Sequence, residues 1–100
     1  MTEPECTALL DGAAACLLAV AYGDPLTTPP TVRLPCLWAV ELLASVGAVP
    51  TRWIPRDHAP ASEWIRDALA ILGRLPTDLF AEDAVLEAAA TACAALDATS

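Results

Sequence analysis

The sequence predicts an all-α fold, a small four-helix bundle of antiparallel up-down topology, and three observations predict it. Twenty-two of the 100 residues are alanine, the strongest helix former and small enough to let helices approach closely. Apolar residues recur at three- and four-residue steps, and the period-2 alternation of a half-buried strand is missing. Glycine and proline cluster at 23–25, 47–50 and 73–76, dividing the chain into four segments. A chain of this length makes one domain, residues 1–100. Two stacked helical hairpins are the alternative architecture, although no internal repeat supports them.

The first helix is expected over about 3–22. Thr2-Glu-Pro-Glu5 has the form of a capping box, in which the Thr2 hydroxyl bonds the Glu5 amide. Pro4 is tolerated in the first turn, where its missing N–H has no helical partner. Cys6, Leu9, Leu10, Ala13, Leu17 and Val20 form the expected core stripe. Gly12 either weakens the middle of this helix or permits close packing there. Gly23-Asp24-Pro25 supplies the stop.

The second helix is placed at about 35–46, with Pro35 at its first position. Only Glu41 and Ser45 are polar inside it, four apart and so on one narrow solvent-facing stripe. The helix reads as the central and most buried one, with a buried Glu41 acid as the lesser alternative. The third, about 60–72, starts at Pro60 after Ala59, or one turn earlier with Asp57 as cap. It sets Trp64, Ile65, Ala68, Leu69, Ile71 and Leu72 against Glu63, Arg66, Asp67 and Ala70, the cleanest amphipathic pattern in the chain. The fourth, about 78–97, has Thr77 as its cap, with Asp78, Glu82 and Asp83 where the macrodipole favours anions. Leu79, Leu86 and Cys93 step by seven, beside a seam of Val85, Ala89, Ala92 and Leu96.

The net charge is −8, with five arginines and no lysine. Phosphate backbones are bound by clustered cations, so a nucleic-acid partner is not expected. The longest apolar run, from Ala13 to Tyr22, is about half of the roughly 20 residues a membrane helix needs, so no membrane span is expected either. The acidic N-terminus is unlike a basic signal segment, which places the chain in the cytoplasm. Cys6, Cys16, Cys36 and Cys93 show no zinc-knuckle spacing. They read as reduced, buried apolar residues. No cofactor and no metal are expected.

The candidate site is the stretch WIPRDHAPASEW, Trp53 to Trp64, which holds the only histidine. A histidine beside a carboxylate, as in Arg56-Asp57-His58, has the elements of an oriented general base. Adjacent residues on an extended chain point apart, however, and no nucleophile turn or phosphate loop accompanies them. The stretch therefore reads as a proline-bounded connector carrying an interaction surface of Arg52, Trp53, Arg56, Asp57 and His58. Tryptophan and arginine are the residues enriched in interface hot spots.

The expected function is a non-catalytic protein-interaction module: an adaptor, a small subunit, or an acidic inhibitor or immunity-type protein. The partner is a basic protein or a second copy, because so apolar a short chain is expected to form homo-oligomers. The alternative is a small-molecule-binding accessory protein or small enzyme. It would have an apolar pocket between helices two and three, with Arg56 holding an anion and His58, Glu41 or Asp57 moving a proton.

Overall fold

The structure is a computed structural model that describes residues 2–23, 26–49 and 60–99. These residues form an all-helical fold of five helices: α1 (Glu3–Ala21), α2 (Pro30–Ser45), α3 (Ala61–Leu72), α4 (Thr77–Phe80) and α5 (Asp83–Ala98). The four long helices pack as a bundle. α1 lies against α2 and α3, and α5 lies against the same two, so α2 and α3 occupy opposite corners. The expectation that consecutive helices are neighbours rested on short connections. Residues 46–60, between α2 and α3, form the longest connection in the chain.

α1 begins as its sequence predicts, with the Glu5 amide donating to Thr2 Oγ1 at 3.4 Å. Leu10, Ala13, Ala14, Leu17 and Val20 turn into the core, while Cys6 and Leu9 are half-buried. By length and composition, α1 is also able to cross a membrane, with a mean hydropathy of 1.4 over its best window. The core helix of a globular bundle has the same length and composition, and Glu5 and Asp11 lie inside that window. A buried stripe of α1 forms part of the bundle core.

α2 starts five residues earlier than its sequence suggests. Pro30 holds the first position and Pro35 lies inside the helix. Pro35 is the sixth residue of the helix, so it gives up the bond that an amide there would make to the Thr31 carbonyl. Nor is α2 the buried centre. Val32, Cys36, Ala39, Val40 and Leu43 face inward, whereas Leu34 and Trp38 stay 64% and 49% exposed. Each long helix shows one buried face, so none is enclosed on all sides.

The C-terminus of α2 is closed by a Schellman turn. Gly47 takes φ +100°, its amide donates to the Ala44 carbonyl at 3.0 Å, and the Ala48 amide donates to the Leu43 carbonyl at 3.1 Å. A left-handed residue is required at that point, which favours glycine. Ala48 and Leu43 are both buried, the apolar contact that accompanies this motif.

α3 matches its predicted face: Ile65, Ala68 and Leu72 are buried, and Glu63, Arg66 and Ala70 are exposed. The fourth predicted helix is two. Glu82, at φ −58° and ψ 133°, interrupts it and becomes the N-terminal flank of α5. Thr77 is the first residue of α4 rather than its cap, and Pro76 precedes it. The break resets the helical phase, so the Leu79–Leu86–Cys93 stripe is not the core face. Leu86 and Cys93 are exposed, whereas Val85 and Ala92 of the adjoining seam are buried, with Ala89 and Leu96 half-buried beside them and Ala88 and Ala95 completing the buried face. With only one side chain larger than alanine on that fully buried face, α5 lets its neighbours approach closely.

Candidate interaction surface

The residues expected to form the interaction loop, Arg52, Trp53, Arg56, Asp57 and His58, lie outside the described residues. So do Asp24, Pro25 and Pro50. Trp64, in contrast, packs half-buried against the core as the apolar face of α3 requires.

Glu41 is exposed, so it is not a buried acid poised to move a proton. Ser45, one turn on, is exposed as well, and its hydroxyl donates to the Leu42 carbonyl at 2.6 Å. At about 100° per residue, positions 34, 38, 41 and 45 fall within about 60° of one another on α2. The outer face of α2 is therefore a line of Leu34, Trp38, Glu41 and Ser45, two large apolar groups followed by two polar ones. Glu41 is the one charged residue on this line. The sequence carried the signal, because Trp38, Glu41 and Ser45 share a helical face. The expected solvent-facing stripe of Glu41 and Ser45 is exposed, and Leu34 and Trp38 extend it.

A second feature lies where the starts of α2 and α3 and the end of α5 meet. Thr28, Pro29, Val32, Pro60, Ala61 and Thr99 border a cleft of about 270 Å³. Its polar groups are hydroxyls, and no titratable side chain lines it among the described residues. Thr28 is buried there, and its carbonyl accepts a bond from Arg33 Nε at 3.0 Å. Glu41 does not line this cleft. Hydroxyls and backbone groups can orient a small polar molecule. They do not supply a general acid or base at neutral pH.

The cysteines differ from one another. Cys36 is fully buried, and burial pushes its thiol up to about 12, which removes it as a nucleophile. Cys6 and Cys16 are half-buried, and Cys93 is exposed on α5. The expectation that all four are buried fails at Cys93 because the core face of α5 is rotated away from the predicted one. Among the described residues, no three His, Cys, Asp or Glu side chains group as a metal site would require. Comparison with protein-family models, with curated proteins and with solved structures finds no match to this chain.

Proposed function

We propose that this chain is a non-catalytic protein-interaction module, an adaptor, small subunit or acidic inhibitor-type protein, that docks through the outer face of α2. The observation that carries this reading is the exposure of Leu34 and Trp38 one turn apart on a helix whose opposite side is fully buried. Burying an exposed Leu or Trp side chain is favourable by about 25 cal/mol per Å² of apolar surface, and tryptophan is the residue most enriched in binding hot spots. Among the described residues that line the cleft none is an acid or a base, which supports the non-catalytic part. The net charge of −8 supports a protein rather than a nucleic-acid partner. The composition of Arg52, Trp53, Arg56, Asp57 and His58 supports a second contact region in the same role.

The bundle behind this surface is, in our reading, antiparallel between every packed pair. The cleft supports it by gathering the starts of α2 and α3 with the end of α5. Residues 46–60, at about 3.3 Å per residue, have the reach to return the chain along the bundle. The free thiols support a reducing, cytoplasmic setting.

The test is co-purification from the native host with the wild-type chain and with Trp38→Ser as bait. Loss of captured partners with Trp38→Ser, at unchanged folding, is expected. Identical capture by both overturns the α2 surface. A second reading, binding of a small polar molecule, is favoured only by the cleft at Thr28 and Pro60. Substitution Ala61→Trp would fill that cleft and should abolish any thermal shift such a ligand produces.

A further inference from the structure

We infer that the partner seated on the outer face of α2 is a second copy of this chain, paired helix to helix in antiparallel fashion about a two-fold axis. This rests on the reading of α2 as the docking face and names its occupant. Charge is the first reason. Two molecules of net charge −8 repel one another, so they can meet only on a face that is nearly uncharged or self-complementary. The exposed residues of α1 include Glu3 and Glu5, and those of α5 include Asp83, Glu87 and Asp97. α2 has Glu41 alone, and it also has a cation, Arg33, in its first turn.

The spacing of these two groups is the second reason. Arg33 and Glu41 are eight residues apart, about 12 Å along the axis. At about 100° per residue both stand on the same side of the Leu34–Trp38 line. A two-fold axis normal to the plane of two antiparallel helices reverses chain direction and keeps each flank opposite its own copy. With the axis beside Leu37, Glu41 comes level with the partner subunit's Arg33, and Arg33 with the partner subunit's Glu41. Each carboxylate then also lies over the first turn of the partner's α2, the positive end of the helix dipole.

The same register centres the apolar contact. Trp38 is one residue from the axis, so the two indoles meet across it at an axial offset of about 3 Å. Leu34 of each copy lies one turn away, between the indoles and the outer ion pair. Such an interface, one helix wide, falls below the roughly 800 Å² per partner of a standard stable complex. The dimer should therefore be reversible and concentration-dependent.

Sedimentation velocity over a wide concentration range tests the pairing. The wild-type mass is expected to rise from 10.4 kDa toward twice that value. Arg33→Glu and Glu41→Arg alone should each weaken self-association by at least about tenfold, since like charges then face each other twice. An equimolar mixture of the two variants should restore the dimer, because each mixed pair again joins opposite charges. Circular dichroism of each variant at a dilution where the wild type is monomeric checks folding. Should Arg33→Glu fail to fold, Arg33→Gln replaces it. Its mixture with Glu41→Arg keeps one opposite-charge pair and no like-charge pair, so it should associate more tightly than Glu41→Arg alone. A monomeric wild type at every concentration overturns the pairing, as does a dimer indifferent to both charge reversals. Either result leaves the interaction reading itself to the Trp38→Ser capture experiment, which fails independently.

Discussion

The Val49 amide donates to the Asp11 carboxylate at 2.7 Å, joining the chain just beyond α2 to the middle of α1. The bond sits directly after the Schellman turn at Gly47, so it ties that turn to α1. Asp11→Ala removes the acceptor and should lower stability by about 1 kcal/mol in a urea titration. Asp11→Asn keeps an acceptor oxygen and should lose less than half of that.

Two glycines in helical settings should respond in opposite directions. A Cβ on Gly12 would meet Ile71 Cδ1 at 3.8 Å, an ordinary contact, so packing does not require glycine there. Gly12→Ala should stabilise α1 by about 0.5–1 kcal/mol. Gly47 has open space around it but φ +100°, so Gly47→Ala should cost about 1 kcal/mol through backbone strain alone. Thermal melts of the two variants should shift in opposite senses.

Leu17 and Leu34 provide a matched pair on the core and surface of the bundle. Leu17 is fully buried and Leu34 is 64% exposed. Leu17→Ala should cost about 2–5 kcal/mol, and Leu34→Ala less than about 0.5 kcal/mol. Equal losses would show that the outer face of α2 is covered within a single molecule.

Alkaline pH should destabilise the fold through Cys36. Burial raises its thiol from 9.0 to about 12, so the unfolded chain releases this proton first. The folded state holds one more proton between those values, and its stability falls by about 1.4 kcal/mol per pH unit in that window. The effect is absent below pH 9, where both states hold the proton. Cys36→Ala should flatten this slope in denaturant titrations from pH 8 to 11. Iodoacetamide at pH 8 should modify exposed Cys93 quickly and leave Cys36 unmodified until the chain unfolds.

The elements legible in the sequence were those with strong local signals. α3 combines a clear amphipathic period with Gly73 and Pro76 beyond it, and α1 combines the Thr2 cap with Gly23. α2 was misplaced at its start because Pro29, Pro30 and Pro35 all suit a first helical turn, and only packing chooses Pro30. The break at Ala81-Glu82 has neither glycine nor proline, so nothing local announces it. With that break unseen, the phase of Leu79 was carried onward and put Leu86 and Cys93 on the wrong side. The outer face of α2 was hidden for a different reason. Leu34 and Trp38 are as apolar as core residues, and composition cannot say which side of a helix its neighbours cover. The candidate surface at Arg52–His58 rests on composition alone, and the exposure of Glu41 agrees with the solvent-facing stripe it shares with Ser45 rather than with a buried acid.

The most direct test of the α2 surface is Trp38→Ser, followed in the same samples by thermal melting and by sedimentation velocity. A surface role predicts a melting temperature within a few degrees of wild type and a loss of self-association at concentrations where the wild type is dimeric. A destabilisation of about 3–5 kcal/mol, the cost of truncating a core tryptophan, with association unchanged, would contradict it.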